Sequence, residues 1–378
     1  MPYPDDIATG RPRGGPRPVI AVDANPATRE AITGTELFTR EVVRRLPEVA
    51  PDLDWRFYAS RPAPGLGVDL TVLPFRRVWA QVRLPIELAM SRPDLYLDLA
   101  HVVPAWCPAP PLKVFHDLAF ERFPSAYGPA QLAYLRFTGR WAARACRTLI
   151  AVSEATRQDL VSLYGVDPER VTVVREGGGE GDLGSADVDA DDAALRALGV
   201  DGPFVLNVGR IEARKNQLAA LEAVERIPGL LLVCAGAIHD EAMAARLDAS
   251  PRCRLLGRVP DAERDLLYRR AEVLLFPSLY EGFGIPVLEA MRHGLPVVAT
   301  RSSSLPEVGG DAAIYVLDAR DSDAMADAIR RLRGDPALRR RLVAAGRRQA
   351  AKFTWDRCAA GVADAVRGRL SLGEPARS

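Results

Sequence analysis

The chain has 378 residues, 48% of them hydrophobic and 26% charged, with a formal net charge of +1. One core rarely serves such a length, so two domains are expected, and the near-neutral charge gives no case for a nucleic-acid partner. The five cysteines (Cys107, Cys146, Cys234, Cys253, Cys358) form no Cys-x-x-Cys pair and read as free thiols of a reducing compartment, not disulfides or zinc ligands.

Residues 1–18 are rich in Pro, Gly and charge, and no apolar run approaches membrane-spanning length. The expectation is a disordered tail without signal peptide or anchor, on a cytoplasmic protein free to touch the inner face of the membrane. Val19-Ile20-Ala21-Val22-Asp23 is a first strand. Phe38, Val42 and Leu46 then recur every four residues and predict a helix. The loop Ile32-Thr33-Gly34-Thr35 precedes it, so the amides of Gly34 and Thr35 can meet a diphosphate or an acceptor.

Lys113-Val114-Phe115 is a further strand, with His116-Asp117-Leu118 at its carboxyl end. A lone histidine there more often serves structure than proton transfer. Arg136, Arg140, Arg144 and Arg147 lie at helical spacing, with Phe137 and Trp141 on a neighbouring face. Two readings apply: a solvated face covering core aromatics, which is the simpler, or a surface resting on anionic lipid. Leu149-Ile150-Ala151-Val152 enters a helix capped by Ser153, and Val171 to Val174 closes this half.

From Glu176 to Asp192, five glycines and several aspartates carry no apolar period, which marks an interdomain linker, set at 181–200. The domains on either side are expected at 19–180 and 201–352. Strands resume at Phe204-Val205-Leu206, Leu230 to Cys234, Val273 to Phe276 and Val297-Val298, separated by helical patterns. Such alternation predicts an α/β protein of two Rossmann-like, doubly wound domains facing each other across a cleft. Ligands of these sheets bind at the carboxyl ends of the strands.

Two motifs fall at such ends. Arg210 closes a strand and Lys215 opens the next helix, where guanidinium and ammonium can clamp a diphosphate; standing alone, they would as readily be solvated charges. The run Pro277 to Met291 then sets Glu281 and Glu289 eight residues apart, with Gly282, Phe283, Gly284, Ile285 and Pro286 following Glu281. Pro286 suits a first helical position and Gly294 a helix end, so Glu281 lies on the strand-to-helix loop and Glu289 about a turn into the helix. The amides from Gly282 to Ile285 can face an anion, and the carboxylates can accept from hydroxyls. That arrangement suits a sugar nucleotide.

This Glu-x7-Glu motif, with Gly209-Arg210 and Arg214-Lys215-Asn216 upstream of it, resembles the signature of the retaining glycosyltransferases of family 4. The resemblance runs from about Val19 to Ala365. It implies the GT-B fold, a nucleotide-sugar donor held mainly by the second domain, an acceptor in the first, and a closing helix over 353–378 that crosses back. It implies that His116 contacts the donor sugar, with Glu281, as the catalytic residues. Arg210, Lys215 and the amides of Gly282, Phe283, Gly284 and Ile285 take the diphosphate, and Glu289 the ribose. The single Gly34 departs from the family's double glycine, and Arg175-Glu176-Gly177 stands where Asn-Gly is usual, so no role is carried to Glu176.

The form Glu-Gly-Phe-Gly-Ile-Pro and the run His-Asp-Leu-Ala-Phe are similar to members that use GDP-mannose; a UDP-hexose is the other donor considered, and the acceptor is a glycan, a lipid-linked or a small molecule. No cofactor and no metal are expected, because the four histidines (His101, His116, His239, His293) form no spaced pair. A sugar-nucleotide epimerase, a pyridoxal-phosphate-dependent phosphorylase and a non-catalytic glycan- or nucleotide-sugar-binding protein are the alternatives.

Overall fold

The computed structural model describes residues 16–29, 33–75, 78–100, 102–178 and 188–372. Most of the expected tail, Ile32, His101 and linker residues 179–187 lie outside the described residues.

Seven strands build the first sheet: β1 (Val19–Asp23), β2 (Asp54–Ala59), β3 (Leu70–Val72), β4 (Leu95–Asp98), β5 (Pro111–Phe115), β6 (Thr148–Ala151) and β7 (Val171–Val173). Six build the second: β8 (Phe204–Val208), β9 (Leu231–Ala235), β10 (Cys253–Gly257), β11 (Val273–Phe276), β12 (Val297–Thr300) and β13 (Ala313–Val316). The orders are β3-β2-β1-β4-β5-β6-β7 and β10-β9-β8-β11-β12-β13, and the paired strands run parallel. Helices cover both faces, so β1, β4, β11 and β12 are buried almost throughout. Strand order reverses between β1 and β4 in one sheet and between β8 and β11 in the other, which opens a ligand crevice at each point.

β2, β3, β4, β10 and β13 escaped the pattern reading. They are short, or carry polar residues such as Asp54 and Arg254 near their start, and tertiary pairing makes them strands.

Residues 188–197, assigned to the linker by composition, are helical (Val188–Ala197). This corrects the linker's extent. The aspartates that broke the apolar period pair with arginines at the end of the helix Asp261–Arg270: Asp191 with Arg269 at 3.1 Å, and Asp192 with Arg270. Leu195 and Val200 join the core.

The chain crosses back to the first domain near Phe353, whose carbonyl accepts from the Gly178 N–H at 3.0 Å. The helix Trp355–Ser371 then lies along the helix Gly34–Val49. Trp355 is buried against Phe38, with ring centroids 6.2 Å apart, and Arg45 meets Asp356 at 2.8 Å. The last helix therefore belongs to the first domain's core. The five cysteines are free thiols.

Candidate active site

At the second crevice, β8 leads to Arg210 and β11 to Pro277 and the loop that carries Glu281. Lys215 Nζ lies 2.6 Å from Glu281 Oε1, and Arg214 Nη1 lies 3.4 Å from Glu281 Oε2. Arg214 also donates to the Tyr280 carbonyl at 2.6 Å and to Glu212 at 2.6 Å, while its own carbonyl accepts from the Leu279 N–H at 2.9 Å. Two separate loops are thus locked together around one carboxylate. Glu281 is buried, which alone would raise its pKa, but the Lys215 and Arg214 charges prevail and hold it below the usual carboxylate value.

Sequence reasoning paired Arg210 with Lys215. The fold instead brings Lys215 and Arg214 to Glu281, and leaves Arg210 exposed, its carbonyl held by Gln217 at 2.8 Å. The signal for Arg214 was its place beside Lys215 in the segment that bonds to Leu279.

The helix Ile285–Arg292 starts directly after Gly284, whose φ of +117° places it in the left-handed region that favours glycine. Among the described residues nothing accepts from the N–H groups of Phe283, Gly284 and Ile285, so this end of the helix offers donors to an anion. The Phe283 side chain takes no part: it is buried edge-on against Phe353, with centroids 5.8 Å apart. Glu289, one turn on, accepts from Tyr268 Oη at 2.7 Å and lies 3.9 Å from Arg264 Nε. Tyr268 and Arg264 were not expected there.

In the first domain, Gly34 and Thr35 prove to be the opening helical positions, not a preceding loop, with Thr33 as N-cap. Glu36 completes a capping box, accepting from the Thr33 N–H at 3.1 Å and from Arg29 at 2.8 Å. A Cβ on Gly34 would stand 3.9 Å from Ile285 Cδ1, so two helix N-termini, one from each domain, face each other across the cleft.

Both ring nitrogens of His116 are engaged: Nδ1 lies 3.0 Å from Glu176 Oε1, and Nε2 lies 2.8 Å from the Leu99 carbonyl. Phe38 meets the ring edge-on at 4.7 Å. Burial would lower the histidine's pKa, but the hydrogen bond and charge of Glu176 outweigh it, and the value is raised. Glu176, to which the motif carried no role, is the group that raises it.

The domains touch at this site. A Cβ on Gly282 would be 2.0 Å from the His116 carbonyl oxygen, and Ser153 Oγ donates to the Gly282 carbonyl at 2.6 Å. Tyr280 Oη donates to Asp159 at 2.7 Å and accepts from the Leu118 N–H at 3.1 Å. Glu307 accepts from the Glu154 N–H at 2.8 Å and pairs with Arg175 at 2.7 Å. Among the described residues, no group of three His, Cys, Asp or Glu side chains is placed to hold a metal.

Residues 33–177 match the family profile described as Glycosyltransferase Family 4, and residues 192–349 the one described as Glycosyl transferases group 1. The chain is 28% identical to the O-antigen chain mannosyltransferase B of Escherichia coli, over 65% of this chain and 67% of that protein. It is 35% identical to the D-inositol 3-phosphate glycosyltransferase of Xylanimonas cellulosilytica, over 61% of this chain and 58% of that one. The alignments thus span about two thirds or less of these relatives. In fold it is similar to Anabaena HepE in complex with UDP and glucose, with a TM-score of 0.71 at 17% identity, covering 92% of this chain and 99% of that one. A sucrose-phosphate synthase from Thermosynechococcus elongatus matches with a TM-score of 0.72 at 20% identity, over 94% and 100% of the two chains. The chain belongs to the family 4 glycosyltransferases and has their GT-B fold.

Proposed function

We propose that the protein is a retaining glycosyltransferase that moves a hexose, foremost mannose from GDP-mannose, to a glycan, lipid-linked or small-molecule acceptor on the cytoplasmic side of the membrane. The observation that carries this reading is the buried Glu281 carboxylate, held ionised by Lys215 and Arg214 beside free helix-terminal amides where the domains meet. The diphosphate takes the amides at Gly284 and draws Lys215, with Arg210 reaching in from its exposed loop. Glu281 accepts from sugar hydroxyls, and Glu289 from the ribose.

The bond from the anomeric carbon to the leaving phosphate oxygen breaks while the bond to the acceptor oxygen forms on the same face. The acceptor's proton passes to the leaving phosphate. Negative charge grows on that oxygen, where preorganised cations and amides stabilise it better than they stabilise the intact donor. His116, tied through both nitrogens, presents its ring edge and main chain to the donor and transfers no proton in this scheme. No metal is needed, because the charge acceptors are fixed side chains and amides.

The mannosyltransferase among the relatives supports mannose as the first donor to test, whereas HepE, similar in fold, is seen with UDP. A panel of nucleotide sugars tests the reading. One donor should raise the melting temperature and undergo slow hydrolysis, and NMR should show an α-glycoside from an α-linked donor. A donor isomerised without transfer would identify an epimerase, and one bound but never consumed a binding protein.

A further inference from the structure

Seven large exposed apolar side chains of the first domain lie on two helices and one loop. Val82, Ile86 and Met90 recur every four residues along the helix Arg83–Ser91 and its N-cap, and are 42%, 45% and 74% exposed. On the helix Pro129–Ala145, Tyr134, Phe137 and Trp141 follow at helical spacing, with Phe137 65% exposed. Trp106, 59% exposed, stands on the connection between β4 and β5. Two hydrogen bonds join the three segments: Trp141 Nε1 donates to the Pro104 carbonyl at 3.3 Å, and the Ala105 N–H to Gln81 Oε1 at 3.0 Å.

Reading Phe137 and Trp141 as core aromatics under a solvated face is therefore corrected. That helix buries Thr138, Gly139, Ala142 and Ala143, small residues that let it sit close to the sheet and turn its aromatics outward. Arginines interleave with those aromatics. A shallow groove is lined by Ala133, Arg136, Phe137, Arg140, Trp141 and Arg144. Arg136 and Arg140 share Glu121, at 2.8 and 3.2 Å, and Arg144 makes no ion pair among the described residues, so the surface is positive.

Aromatic rings beside guanidinium groups on one exposed face match the headgroup level of an anionic bilayer, which accepts apolar bodies and cations together. We infer that this surface docks on an anionic membrane. Trp106 lies on the same β4–β5 connection as Leu99, whose carbonyl lies 2.8 Å from His116 Nε2, so this connection ties the docked face to the cleft. The inference rests on the transferase reading only in naming its purpose, the capture of a lipid-linked acceptor.

Co-sedimentation of the full chain with vesicles tests it. One set is phosphatidylcholine, the other equal parts phosphatidylcholine and phosphatidylglycerol. The protein should sediment with the anionic set alone, and partition should fall about tenfold in Phe137→Glu/Met90→Glu, and also in Arg144→Glu. Both side chains of the double variant are exposed, and an unchanged melting temperature would confirm its fold. No sedimentation with anionic vesicles, or unchanged partition in the variants, overturns the inference. So does a wild-type dimer that the double variant turns into a monomer, which would make the surface a self-association face. Vesicle binding without response to any nucleotide sugar would sink the transferase reading and leave the docking intact.

Discussion

The carbonyl oxygen of His116 occupies the space that a side chain on Gly282 would need: a Cβ there would stand 2.0 Å from it. A first-domain strand end and the second domain's loop after β11 thus meet backbone to backbone. Gly282→Ala should leave each domain folded but hold the cleft open. Transfer should drop about a hundredfold, the scale for a misplacement near 1 Å, while nucleoside diphosphate affinity changes little. Steady-state kinetics and small-angle scattering read the two effects. Native turnover with an unchanged radius of gyration would show that closure does not depend on this contact.

The two carboxylates should separate by kinetic signature. Glu281→Ala should cost about two to three orders of magnitude in transfer while nucleoside diphosphate still binds, since its proposed partner is the sugar. Glu289→Ala should mainly weaken nucleotide binding and free the Tyr268 hydroxyl it now accepts from. Calorimetry with the diphosphate checks both. Near-native values for both variants would discard the assignment.

Chelation should leave most of the activity, because in the proposed scheme the leaving charge is met by Lys215, Arg210 and helix-terminal amides. Lys215→Ala should remove most of it, and also leave Glu281 with Arg214 as its remaining cation. Activity lost to chelator and restored by magnesium or manganese would reassign the charge to a metal ion.

His116 gives a pH dependence whose sign follows from its raised pKa. A group with a raised folded pKa contributes stability that is full below its unfolded value, about 6.5 for histidine, and is lost as pH rises through the folded value. Glu176→Gln removes the charge that raises it. The stability gap between wild type and variant should be widest in mildly acid solution and shrink as pH rises through the native pKa. NMR should find His116 titrating lower in the variant. The same titration point in both proteins would show that Glu176 is not what holds the proton.

Much of this molecule was legible in one dimension. Apolar runs such as Val273 to Phe276 are buried on both faces, so their hydrophobicity is continuous and their place in a parallel sheet is plain. Glu281, Gly284 and Glu289 lie on one loop and one helix, so their spacing already implied their geometry. Local chemistry also marked Ser153 as a cap, which accepts from the Thr156 N–H as expected.

What tertiary structure decided lies between residues far apart in the chain. Glu176 reaches His116 across 60 positions and Tyr280 reaches Asp159 across 121, and neither side chain carries any sign of its partner in its own neighbourhood. Arg214 rather than Arg210 meets Glu281 because the loop after β8 turns Arg210 outward and bonds the Arg214 main chain to Leu279. Phe137 and Trp141 face outward because the small residues beside them pack against the domain. Periodicity and capping are local properties and survive in a linear string. Pairing, burial and charge compensation depend on which distant surfaces the two sheets bring together, and folding alone supplies that.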